Sequence, residues 1–119
     1  MVPSYKELIA NIDAHRAVLA KERPELMGGF KKFMGAAEGA GGALDAKTKE
    51  LIALALAVGV RCDPCIGMHT RKAVALGVTR AELEDMLGVC ITMGGGPALM
   101  YACGALAAYE ELGGEKAAA

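Results

Sequence analysis

The chain has 119 residues, of which 54% are hydrophobic and 23% charged, and its mean hydropathy is +0.33. That excludes intrinsic disorder, which needs low hydrophobicity and high net charge. It is also apolar for a chain whose size lets it bury only about two-thirds of its unfolded surface, so a second copy or a membrane is expected to cover the excess. Thirteen basic and fourteen acidic residues leave a net charge of −1, with three Tyr, two Phe and no Trp. Neither phosphate neutralisation nor base stacking is served by that set, and nucleic acid is not an expected partner.

Length predicts one domain, residues 1–119. The N-terminus is charged throughout and lacks the apolar segment of a leader, which predicts a cytoplasmic protein. Tyr5–Lys21 sets Leu8, Ile9, Ile12 and Leu19 among charges at helical spacing. Pro24 opens a second helix to about Ala37, and Gly39–Gly42 form a break. Asp45 is a good N-cap for a third helix reaching about Gly59. Its segment Leu51–Val60 is apolar on every side, which predicts a place at the centre of the core.

Asp63 and Pro64 read as N-cap and first residue of a fourth helix, which ends near Leu76 with Gly77 as its stop. Thr79-Arg80-Ala81-Glu82 is a capping box for a fifth helix, which ends in Gly94–Gly96. Pro97 opens a sixth, to about Leu112, dense in small residues (Ala98, Ala102, Gly104, Ala105, Ala107, Ala108) that allow helices to approach closely. Gly113–Ala119 is expected to fray. No segment alternates like a strand, so the predicted fold is all-α with about six helices. The uncharged run Met86–Tyr109 is long enough to span a bilayer, but Gly94-Gly95-Gly96-Pro97 cuts it into pieces too short to do so, and no membrane partner is expected.

Chemistry concentrates between Glu50 and His69. A cysteine at a helix N-terminus lies near unpaired N–H groups and the positive end of the dipole, which favours its thiolate; Cys65 has that place. His69, four residues on, shares its helix face and can take or return the thiol proton. Cys62 and Cys65 form a CxxC pair that can close a disulfide with little backbone movement, Cys65 attacking and Cys62 resolving. Glu50 borders the apolar run of the third helix, where a partly buried carboxylate needs a partner. His69 or a thiol would serve, or Glu50 is a solvated residue paired with Lys47 or Lys49. Cys90 and Cys103 read as packing residues, His15 as a surface histidine and the methionines as core filler.

The pattern Glu50-x11-Cys62-x2-Cys65-x3-His69 resembles the signature of the AhpD-like alkylhydroperoxidases of the carboxymuconolactone decarboxylase superfamily. The resemblance runs from Asp45 to about Tyr109 and takes in the LGVT turn at Leu76–Thr79. It implies an all-helical core with the CxxC at a helix N-terminus, assembled as a trimer or hexamer. It also implies a redox-active Cys62–Cys65 pair: Cys65 forms a sulfenic acid on peroxide, Cys62 donates a proton and resolves, and Glu50 and His69 relay protons. The substrate would be a hydroperoxide or a disulfide, regeneration would need a protein or small-molecule reductant, and no cofactor or metal is called for. One departure stands out. Better-known peroxidase members carry a second histidine immediately before the second cysteine, and here that position is Pro64, which shortens the relay.

Two other readings use the same residues. A lyase acting on a cyclic lactone acid would need Glu50 and His69 without sulfur chemistry. A zinc module would draw on Cys62, Cys65 and His69, with a fourth ligand from Cys90, Cys103, His15 or a carboxylate.

Overall fold

The computed structural model describes residues 2–117 and contains α1 (Tyr5–Glu22), α2 (Pro24–Glu38), α3 (Ala46–Gly59), α4 (Asp63–Ala75) and α5 (Arg80–Glu111). Among the described residues there is no strand, and the fold is all-α. The fifth and sixth predicted helices run on as one element. Gly95 is non-helical within α5 (φ 68°, ψ −149°) and Pro97 follows, so residues 80–94 and 96–111 are two helical segments joined at a break.

The helix starts follow local chemistry. Ser4 accepts the Glu7 N–H, Pro24 lies in the first turn of α2, and Asp45 accepts the Thr48 N–H at 2.7 Å. Thr79 and Glu82 exchange both bonds of a capping box. Three helices stop alike. After α4, Gly77 is left-handed (φ 77°) and the Val78 N–H returns to the Ala73 carbonyl. After α5, Gly113 (φ 99°) and the Gly114 N–H to Tyr109 do the same. After α3 the left-handed residue is Arg61 (φ 59°), with the Cys62 N–H on the Ala57 carbonyl. These are Schellman turns.

α3, α4 and α5 pack on one another around Leu54, Val58, Ile66, Leu83, Leu87 and Tyr109. Of the small residues of the last segment, Ala98, Ala102, Gly104, Ala105 and Ala108 are buried, and Ala107 is exposed. α1 crosses α4 at Gly67, where a Cβ would stand 3.1 Å from Ile9 Cγ1 and 3.2 Å from the Tyr5 ring. Its N-terminus is tied to the end of α5, because Glu111 accepts from the Ser4 hydroxyl at 2.7 Å and the Tyr5 N–H at 2.6 Å. α2 lies against α1, touches α3 and has no buried residue.

Several expectations change. α3 is covered on one side only, so Ile52, Leu56 and Val60 are exposed although the segment is apolar all round. None of the described methionines is fully buried, and Met93 and Met100 are exposed, since alanines fill the space beneath α5. Cys103 is exposed, whereas Cys90 is half-buried against the core as expected, and burial pushes its thiol up. His15 is at the surface. The tail is tied down as far as Glu115, whose carbonyl accepts from Arg80; Ala118 and Ala119 lie outside the described residues. α5 is long and apolar enough to cross a membrane by length and composition, but its Leu83, Leu87, Ala105 and Tyr109 belong to the core and Gly95 divides it.

Candidate active site

The turn between α3 and α4 sets the site. Arg61 holds a left-handed conformation that costs a non-glycine residue roughly 1–2 kcal/mol. That turn leaves Cys62 extended (φ −104°, ψ 97°), and Cys62, not Asp63, is the N-cap of α4. The expected start therefore moves by one residue: Asp63 is the first helical residue, Pro64 the second and Cys65 the third. Nothing in the sequence marked Arg61 as the turn residue, because the usual sign is glycine.

Cys62 and Cys65 are joined as a disulfide, with their Cα atoms 5.2 Å apart, in the ordinary range for such a bond. Cys62 Sγ accepts the Cys65 N–H at 3.2 Å, so a sulfur serves as the helix cap. A thiolate on Cys62 would keep that bond and the favourable end of the dipole. Both cysteines are half-buried. In the disulfide state neither sulfur offers a thiolate to a metal.

Behind the disulfide, His69 lies one turn further along α4. Helical side chains as a rule lean toward the N-terminus, which for His69 is the turn of Cys65. Its Nδ1 donates to Glu50 Oε1 at 2.5 Å. A carboxylate on Nδ1 fixes the proton there in the neutral ring and leaves Nε2 as the free nitrogen. Glu50 is only 4% exposed, set in α3 one turn before Leu54, and the hydrogen bond satisfies a carboxylate that would otherwise be costly to bury. The lysines are engaged elsewhere, Lys47 with Glu82 at 2.7 Å and Lys49 with the Gly39 carbonyl at 2.8 Å. That decides between the two readings of Glu50 in favour of His69.

The sequence did not single out two neighbours, Glu38 and Tyr5. Glu38, the last residue of α2, places Oε1 3.9 Å from His69 Nδ1. One donor atom each from Glu38, Glu50 and His69 lies within 4.8 Å of the others. Tyr5 donates a long 3.4 Å hydrogen bond to Asp63 at the head of α4. Burial, and then the Asp63 charge, push its phenol up to about 12, so Tyr5 stays protonated there. Two clefts flank the Glu–His pair. One of about 390 Å3 is lined by Glu38, Lys49, Ile52, Leu56 and His69, and one of about 490 Å3 by Lys31, Glu38, Glu50 and Lys72.

Known proteins share this framework. The pattern of the Carboxymuconolactone decarboxylase family matches residues 24–108. A crystal structure of a carboxymuconolactone decarboxylase family protein from Legionella pneumophila superposes with a TM-score of 0.88 at 50% identity, covering 91% of this chain and 96% of that one. Another, from Thermotoga maritima, superposes with a TM-score of 0.77 at 26% identity over 87% of this chain and 88% of its own; an involvement in the antioxidative response has been suggested for it. An uncharacterized protein of Cupriavidus necator is 40% identical over 112 residues, 94% of this chain and 98% of that one. The chain belongs to the carboxymuconolactone decarboxylase family.

Proposed function

We propose that the protein is a cysteine-based oxidoreductase that reduces hydroperoxides or disulfides through Cys62 and Cys65, with Glu50 and His69 as its proton relay. The observation that carries this reading is a disulfide at the head of α4, one turn from a histidine held by a buried carboxylate. The suggested antioxidative role of the Thermotoga maritima relative is of the same kind.

In the reduced protein His69 takes the Cys65 proton at Nε2, and the electron pair stays on sulfur. The thiolate attacks the distal oxygen of a hydroperoxide. An S–O bond forms, the O–O bond breaks, and the departing alkoxide takes the proton from His69 and leaves as the alcohol. Cys65 is then a sulfenic acid. The Cys62 sulfur attacks it, the S–S bond forms, and hydroxide leaves with the Cys62 proton as water. An external dithiol returns two electrons and two protons and reopens the disulfide. The cap position of Cys62 supports its resolving role, since the Cys65 N–H stabilises negative charge on it. The cycle suits a reducing cytoplasm, and it calls on no metal or cofactor.

A second copy of the chain is part of the proposal. Leu26, Phe30 and Phe33 are exposed along α2, and Leu56, Val60, Val89 and Met93 line an apolar cleft of about 400 Å3 between α3 and α5. So much uncovered apolar surface on a small chain supports self-association, and the resemblance to the AhpD-like proteins implies a trimer or hexamer. Light scattering should give a mass of three or six chains; a monomer would contradict it.

Turnover of cumene hydroperoxide with dithiothreitol tests the activity. Cys65→Ser should abolish it, and Cys62→Ser should allow one turn and then over-oxidation of Cys65. Full activity in Cys65→Ser overturns the assignment. Conversion of a cyclic lactone acid by a Cys62→Ser/Cys65→Ser double variant would establish the lyase reading instead.

A further inference from the structure

Two carboxylates, not one, face His69 Nδ1. Glu50 Oε1 is hydrogen-bonded to it at 2.5 Å, and Glu38 Oε1 stands 3.9 Å away. Glu38 is an unexpected residue to find there. It ends α2, a helix with no buried residue, and most of its neighbours along that helix are exposed. Its own Oε1 is shut off from solvent and has no hydrogen-bond partner.

A carboxylate at the C-terminal end of a helix opposes the dipole, and a buried acceptor with no donor costs free energy as well. A side chain on the rim of a peripheral helix can normally escape both penalties by turning to water. Glu38 is held in place instead. Lys49 Nζ donates to the carbonyl of Gly39, the cap residue of α2. Lys49 immediately precedes Glu50 on α3, so consecutive residues fix the end of α2 and present the first carboxylate to His69. Lys31 and Lys72 line the adjoining cleft, yet neither pairs with Glu38, and the one basic side chain with a nitrogen within 4 Å among the described residues is His69. The charged and titratable groups gathered here are therefore Lys31 and Glu38 from α2, Lys49 and Glu50 from α3, and His69 and Lys72 from α4.

We propose that Glu38 is a positioning residue of the relay, a second carboxylate that acts through His69. It rests on the reading of Cys65 and His69 given above. Glu50 fixes the ring and its tautomer; Glu38 adds a negative charge beside the imidazolium that forms when Nε2 takes the Cys65 proton. The step breaks the Cys65 S–H bond and makes an N–H bond, with no change of oxidation state. Two carboxylates on one imidazole lower the cost of separating thiolate from imidazolium, and both stand at Nδ1, which leaves Nε2 to the thiol.

The test measures alkylation of reduced Cys65 by iodoacetamide at neutral pH in the full chain. The rate is followed by peptide mass in a Cys62→Ser background, so that only this thiol of the pair is read. Glu38→Gln keeps the shape and removes the charge, and should slow alkylation about tenfold. Glu38→Asp keeps the charge and should stay within about threefold of the parent. With His69→Ala in place, Glu38→Gln should have no further effect. A parental rate in Glu38→Gln overturns the proposal, as does an equal loss in the Asp and Gln variants, or a loss that persists without His69. The readout contains no peroxide. A chain that ignores hydroperoxides while Glu38→Gln slows alkylation would refute the peroxidase reading and keep the role of Glu38.

Discussion

The two acids beside His69 come from opposite kinds of helix. Glu50 rises from α3, where Leu54 and Val58 are wholly buried against α4 and α5. Glu38 ends α2, which buries nothing and shows Leu26, Phe30 and Phe33 to solvent. The first is placed by the core itself and cannot move unless the core does. The second is placed by a peripheral helix whose end is fastened to α3 by the Lys49–Gly39 hydrogen bond. The site is thus assembled at a seam, with its ring orientation fixed from the packed side and its second charge supplied from the unpacked one.

That contrast can be broken from either side. The largest effect belongs to the core. Leu54→Ala should cost about 2–5 kcal/mol, read as a lowered urea midpoint, because a fully buried leucine leaves a cavity between α3, α4 and α5. Lys49→Met should cost less, about 0.5–1.5 kcal/mol, the usual net worth of one hydrogen bond. Its more telling effect is local: amide exchange should rise at the C-terminal turn of α2 and stay unchanged in α4.

Acid should loosen the outer layer at one further point. The Ser4 hydroxyl and then the Tyr5 N–H hold the Glu111 carboxyl below the ordinary glutamate range. A carboxyl depressed in the folded state contributes stability above its unfolded value and loses it as pH falls through the lowered one. Exchange at the first turn of α1 should therefore rise on acidification through that range, and Glu111→Gln should remove the dependence. The smallest effect on folding is expected for Phe33→Ala, within about 0.5 kcal/mol, since the ring is 74% exposed. The same change should weaken self-association in sedimentation or light scattering, an outcome that would mark α2 as an interface helix.

Much of the fold is written in local chemistry. Pro24, Asp45 and the Thr79–Glu82 box start helices where those residue types predict, and Gly77 stops one, because caps act over a few residues. The start of α4 is displaced because it depends on Arg61, whose left-handed turn is imposed by the meeting of α3 and α4 and carries no glycine to announce it. The exposure of Leu56, Val60 and Met93 shows the same limit: apolar character alone does not say whether a residue's own chain covers it.

At the site, Cys62, Cys65 and His69 are legible because they share one helix and its start. Glu50 is legible as a candidate, but choosing His69 over Lys47 and Lys49 needs the approach of α3 to α4. Glu38 is hidden for a further reason. It reaches His69 across the glycine break of residues 39–42, and no spacing rule crosses such a break. An acidic residue at a helix end that disfavours it was the one available sign.

The central claim is a dithiol that peroxide converts to a disulfide. The most direct test mixes fully reduced protein with one equivalent of cumene hydroperoxide and follows free thiols and intact mass with time. The account predicts rapid loss of two thiols and of two hydrogen atoms of mass, mapped to Cys62 and Cys65, with Cys90 and Cys103 unchanged. Four free thiols and an unchanged mass would contradict it.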